Sequence, residues 1–433
     1  MPKVFPPLRQ PHIVVEGAGF KREELEPGFR TAKIAKARLT LAQSDGEASR
    51  MTPFTIDIPD AKINHIRARV ADFPWFPAPA DEGASWMRGV NTAYLQEFCA
   101  YWRDQYDWRT AERGLNRHPH FIARIENFDL HFVHVVGEAQ GKRPLLISHG
   151  WPGSFFEFWG VIEKLAYPSK FGGDARDAFD LIIPSLPGYA FSSKPAQLLG
   201  QRATARLFNM LMTQVLGYSS YRAQGGDWGA LVTSWLGLDH GESCKAIHLN
   251  MIGLRPTPAT PQTDEEKAWL SRTQLAMQME GAYFMQQATK PQTLAMALMD
   301  SPVGAAAWIL EKFHGWSDLS DGDLEKVYSK DQLLTNIMLY LVTDSMATGV
   351  RYYRALFEEN GGVGLPAGAR VETPTAFANF PGEKLYAPPP RTWAERAYNV
   401  TRWTAMESGG HFAAMERPDA FARDVQAWGR ESD

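Results

Sequence analysis

Gly225-Gly226-Asp227-Trp228-Gly229 stands between a short strand-like run, Tyr221 to Gln224, and a helical stretch, Leu231 to Leu238. Small residues on both sides of one side chain are what a sharp strand-to-helix turn needs to lift that side chain above the end of a sheet. The lifted residue here is an aspartate rather than a serine, and the difference selects the chemistry. A carboxylate that displaces a leaving group at saturated carbon forms an ester, which water can open; a serine would form an ether, which water cannot. The turn therefore points to substitution at carbon, as in epoxide opening or dehalogenation. The plain alternative for a lone turn of this kind is an aspartate that caps the next helix.

Upstream, His149-Gly150-Trp151-Pro152-Gly153 follows the apolar run Pro144 to Ser148. This position suits an oxyanion site built from two backbone N–H groups, those of Trp151 and Trp228. Downstream, Gly409-Gly410-His411-Phe412 follows the strand-like run Val400 to Met406. A histidine late in the chain on a glycine-rich loop can take a proton from water near neutral pH, which makes His411 the candidate base among eleven histidines. His131 and His134 are three apart on an expected strand, so they face opposite sides and do not share a metal. An orienting carboxylate is available in Glu383, within Phe380-Pro381-Gly382-Glu383. Glu372 precedes the strand and Glu395 lies in an expected surface helix, which favours Glu383 over both.

Around these motifs, expected strands at Pro144 to Ser148, Phe179 to Ile183, Tyr221 to Gln224, Cys244 to Leu249, Pro374 to Phe380 and Val400 to Met406 alternate with helical stretches. Those stretches are Phe156 to Ala166, Ala203 to Leu216 and Leu231 to Leu238. Such alternation predicts an α/β fold with a mainly parallel sheet and helices on both faces. A period of two from Ile125 to Val135 predicts a hairpin leading into it, and helices at Ile58 to Phe73 and Thr92 to Tyr106 come first. The expected organisation is a poorly packed extension over 1–50, an N-terminal helical meander over 51–120 and a first core segment over 121–253. A helical cap over 254–349 and a second core segment over 350–433 complete it, the cap lying above the carboxyl ends of the strands.

The 433 residues carry 45 Lys and Arg against 49 Asp and Glu, so no basic field draws nucleic acid. Cys99 and Cys244 are too few for a disulfide framework or a thiolate metal site, and with no signal-peptide pattern a cytoplasmic location is expected. No apolar run reaches the roughly eighteen residues of a membrane span, so no membrane anchor is expected. Phe155 and Phe191, with a Met-rich cap, are read as an apolar pocket wall.

With these pieces in place the chain resembles the microsomal-type epoxide hydrolases of the α/β-hydrolase superfamily, a group that includes the juvenile hormone epoxide hydrolases. The resemblance rests on Leu115-Asn-Arg-His-Pro-His-Phe121, His149-Gly-Trp-Pro152, Gly188-Tyr-Ala-Phe-Ser192 and Gly226-Asp-Trp-Gly229. It extends to Thr289-Lys-Pro-Gln292, Asp300-Ser-Pro-Val-Gly304 and Gly409-Gly-His-Phe412. It implies an α/β-hydrolase fold and two tyrosines on the cap side that hold the epoxide oxygen, matched by Tyr283 and by Tyr353, with Tyr352 adjacent to the second. It further implies a nucleophile at Asp227, a base at His411 oriented by Glu383, and oxyanion donors at Trp151 and Trp228. Its substrates would be a small epoxide and water, with no metal or organic cofactor, and a homodimer is left open. Residues 1–50 are polar, with nine basic and six acidic side chains, unlike the anchor of membrane-bound members. A haloalkane dehalogenase shares the aspartate turn and the histidine, and a catalytically silent binding scaffold is the remaining alternative.

Overall fold

The computed structural model describes residues 51–139, 143–319 and 322–432. The expected extension over 1–50 lies outside the described residues.

Among the described residues nine strands form one sheet: β1 (Met51–Phe54), β2 (His120–Ile125), β3 (Phe128–Val135), β4 (Pro144–Ser148), β5 (Asp180–Pro184), β6 (Tyr221–Gly225), β7 (Cys244–Leu249), β8 (Val371–Asn379) and β9 (Tyr398–Ala405). Their order across the sheet is β1-β2-β3-β5-β4-β6-β7-β8-β9. The first three pairings, up to β3 with β5, are antiparallel, and all the others are parallel. Every residue of β4 and β5 is buried, which requires cover on both faces and explains why their interiors, Leu145 to Ile147 and Leu181 to Ile183, are continuously apolar rather than alternating. The hairpin is β2–β3 and starts at His120 rather than Ile125, so the expected span holds β3 and only the last residue of β2; the expected parallel strands appear within three residues of their predicted ends.

Helices α1 (Asp60–Ala71), α2 (Thr92–Asp104) and α3 (Trp108–Leu115) form the N-terminal meander. Two expected helices are corrected. Phe156 to Ala166 is a 3-10 turn, Phe155–Phe158, followed by a short α4 (Ile162–Ala166). Ala203 to Leu216 is α5 (Gln201–Met210) running into a π-helical turn, Leu211–Val215, where the Thr213 hydroxyl donates to the Asn209 carbonyl and competes with the backbone ladder. The central helix α6 (Trp228–Asp239) is buried from Trp228 to Gly237 and packs across β4, β6, β7 and β8.

Between β7 and β8 lies the cap: α7 (Asp264–Glu280), α8 (Ala282–Thr289), α9 (Pro291–Asp300), α10 (Pro302–Trp316), α11 (Lys330–Val342) and α12 (Met346–Asn360). The expected boundary at 349 is corrected, because α12 runs through it and stops only at Gly361, whose φ of +69° ends the helix. Helices α13 (Arg391–Ala397), α14 (Ala413–Glu416) and α15 (Pro418–Glu431) complete the core. The meander is tied to the cap by Lys62–Asp344, Arg69–Asp300 and Lys330–Glu97 ion pairs and by a Tyr101–Asp331 hydrogen bond. Among the described residues no single helix is long and apolar enough to cross a membrane. The two helix pairs with enough combined apolar length, α9–α10 and α11–α12, are bent by 116° and 85°.

Candidate active site

The carboxyl ends of β4 and β6 and the segments that follow β8 and β9 meet at one place, as expected at the open end of a parallel sheet. Asp227 sits at the turn from β6 into α6 with φ +49° and ψ −127°, a conformation that costs a non-glycine residue about 1–3 kcal/mol. Its neighbours must be small for the turn to close. A Cβ on Gly229 would lie 1.9 Å from the Ser148 carbonyl oxygen, and a Cβ on Gly150 would lie 2.2 Å from Asp227 Oδ1. The Asp227 side chain makes no capping bond to α6, which removes the plain alternative. It accepts the Trp151 N–H at 2.7 Å instead. Trp228 is the first residue of α6, so its N–H has no acceptor within the helix.

His411 Nε2 lies 3.4 Å from Asp227 Oδ2, and His411 Nδ1 lies 2.6 Å from Glu383 Oε2. Glu383 is fixed in turn, accepting the N–H groups of Leu385 and Tyr386 at 3.1 Å each. Burial opposes the imidazolium, but the Glu383 and Asp227 carboxylates outweigh it and hold the His411 pKa well above the usual value. The rival carboxylates are elsewhere: Glu372 pairs with Arg370 and Glu395 with Arg391. Glu416 organises the base loop, accepting the N–H groups of Gly410 and Asp318 at 2.8 Å and of Phe412 at 2.9 Å. The His411 N–H donates to the Trp316 carbonyl at the end of α10, which couples that loop to the cap.

Four other histidines, His120, His131, His134 and His149, serve the scaffold. His149 Nε2 accepts the Leu186 N–H at 3.1 Å, and burial lowers its pKa to about 4. His131 lies between His120, at 2.9 Å, and the Ser185 hydroxyl, at 2.8 Å, while His134 lies 3.3 Å from the Tyr218 hydroxyl. The two therefore point to different partners.

Comparison with known proteins matches this architecture. The family model for the epoxide hydrolase N terminus covers residues 51–158, and the model for the alpha/beta hydrolase fold covers residues 143–298. Epoxide hydrolase 1 of Sus scrofa is 36% identical over 411 residues, spanning 88% of this chain and 88% of the relative. The crystal structure of juvenile hormone epoxide hydrolase from the silkworm Bombyx mori superposes with a TM-score of 0.78 at 30% identity, covering 88% of this chain and 95% of that one. The Aspergillus niger epoxide hydrolase structure gives a TM-score of 0.77 at 29% identity, covering 89% and 97%. The chain belongs to the epoxide hydrolase family.

For an epoxide hydrolase the decisive remaining feature is what faces the carboxylate from the cap. A cavity of about 550 Å³ opens on Asp227, with Leu231, Met277, Phe284, Tyr353 and Tyr386 on its wall. Tyr353 faces it, its ring 4.5 Å from that of Trp228, whereas Tyr352 turns to α5 and shares a 2.7 Å hydrogen bond with the Thr204 hydroxyl. Tyr283 lies flat against Trp151, 5.9 Å from the Tyr353 ring, and its hydroxyl is 3.2 Å from that of Tyr386. Burial raises the pKa of all three phenols, so each keeps its proton to donate.

Phe155 and Phe191 are corrected as pocket residues. The 3-10 turn after Ser154 directs Phe155 into an aromatic cluster with His120, His131 and Trp159, and Phe191 joins the same cluster beside Phe54. Sequence reasoning missed Tyr386 and Glu157. The Glu157 carboxyl packs against Gly153 and lines a chamber, with room for about one water molecule, that it shares with Asp227 and His411. Burial pushes its pKa up to about 8, against the pull of His411. Among the described residues no group of three or more His, Cys, Asp or Glu side chains could hold a metal ion.

Proposed function

We propose that the protein converts small epoxides to vicinal diols through a covalent ester on Asp227. The observation that carries this reading is an aspartate carboxylate, hydrogen-bonded to the Trp151 N–H and 3.4 Å from His411, that opens onto an apolar, tyrosine-walled cavity. In the first step an Asp227 oxygen attacks one ring carbon, the C–O bond breaks, and its electron pair stays on the epoxide oxygen. Tyr353 and Tyr283 hold that oxygen and supply its proton. In the second step His411, oriented by Glu383, takes a proton from water, and the hydroxide attacks the ester carbonyl carbon. The Trp151 and Trp228 N–H groups receive the oxyanion, the ester C–O bond breaks as His411 passes its proton to the leaving diol oxygen, and Asp227 keeps an oxygen from water whose proton restores the tyrosine pair.

One observation favours a second reading. The indole N–H groups of Trp151 and Trp228 are buried without a hydrogen-bond partner, the kind of donor that a departing halide requires. Styrene oxide and a bromoalkane separate the two, since diol release without halide release is expected. In His411→Ala the intact protein is expected to gain the mass of one styrene oxide molecule, mapped to Asp227. An unmodified protein, or halide without diol, would overturn the reading.

A further inference from the structure

The cavity above Asp227 carries a second charge. Among the described residues, Asp227 and Arg255 are the two charged ones on its wall, which is otherwise apolar or neutral. The Arg255 backbone is fixed by two hydrogen bonds to the chain beyond α12. Its N–H donates to the Val363 carbonyl at 2.8 Å, and its carbonyl accepts the Leu365 N–H at 2.9 Å. Its guanidinium, by contrast, has no hydrogen-bond or ion-pair partner among the described residues. Other partly covered arginines are paired, as Arg396 is with Glu266 at 3.0 Å and Arg402 with Asp424 at 2.7 Å. Burial without a carboxylate pushes the Arg255 pKa down. Thr273 of α7, on the same wall, has a buried hydroxyl that also lacks a partner.

A guanidinium presents five N–H donors in a planar fork that fits a carboxylate, and a partly dehydrated, unpaired one gains most from such a partner. We propose that Arg255 is an anion subsite of the substrate cavity, and that the preferred substrates are epoxides carrying a carboxylate at the end remote from the ring. This rests on the epoxide-opening reading above. The apolar wall formed by Leu231, Met277, Phe284 and Leu356 would hold the hydrocarbon between the two ends. Arg255 would offset the repulsion between the substrate carboxylate and Asp227.

The test compares a medium-chain terminal epoxide ending in a carboxylate with its methyl ester. In the wild type the acid is expected to show a KM about tenfold or more below that of the ester, the scale of one charge-assisted hydrogen bond. Arg255→Gln should bring the acid's KM to within about twofold of the ester's. Independently of turnover and of any variant, octanoate titrated into the wild type by calorimetry should bind about tenfold or more tighter than octanamide. Equal affinity for octanoate and octanamide, or an Arg255→Gln variant that still prefers the acid about tenfold, would overturn the subsite. If neither epoxide is converted while octanoate still binds preferentially, the epoxide-opening reading fails and the anion subsite stands.

Discussion

Glu157 shows how one side chain's setting changes its chemistry. Burial beside Gly153 raises its pKa from 4.5 to about 8, so the folded protein holds a proton that the unfolded chain releases across that range. Stability therefore falls as pH rises from 4.5 towards 8, and Glu157→Gln should flatten that slope. Melting temperatures of the variant and the wild type at about pH 5 and about pH 8 check this. His411 is raised for a different reason, the neighbouring carboxylates, and one of these is neutralised when Asp227 becomes an ester. The imidazole then becomes easier to deprotonate. The ester-hydrolysis step, followed by single-turnover quench, is expected to titrate at lower pH than His411 does in the resting protein by NMR. Asp227, Glu383 and His411 were legible in the sequence because glycine-rich turns mark each of them locally. Glu157, Tyr386 and Arg255 carry no such mark; Tyr386, for example, gains its role from Tyr283, 103 residues away.

At the scale of elements, the loop bearing His411 depends on three backbone N–H groups that converge on Glu416. Glu416→Ala leaves them without an acceptor, at about 1–3 kcal/mol each if water does not replace it. A lowered melting temperature and a tenfold or larger fall in kcat, of about the size expected when a catalytic group is misplaced, are the expected results. Helix α12 brings Tyr353 against Trp228, and Tyr353→Phe should slow ester formation on the order of a hundredfold while leaving ester hydrolysis less affected. Stopped-flow tryptophan fluorescence separates the two steps. Elements were legible where an apolar run was continuous and bounded by turn residues, as in β4. The edge strand β1 escaped because Met51-Thr-Pro-Phe54 has no alternation and contains a proline. The end of the cap escaped because the helical pattern of α12 continues past Gly349 with no breaker before Gly361.

Across the whole molecule, the sheet divides its labour. Its parallel strands present the reacting groups, and its antiparallel edge joins the meander, which braces the cap through α1, α2 and α3. Phe98 of α2 is fully buried, and Phe98→Ala should cost about 3–5 kcal/mol, measurable by chemical denaturation. The two chain crossings between core and cap meet where Arg255 and Leu365 exchange backbone hydrogen bonds with the facing strand of chain. Their amides should therefore exchange with deuterium as slowly as those of β7. The roof is thus stitched together at both of its stems, and it stands on one shared footing rather than on two separate legs.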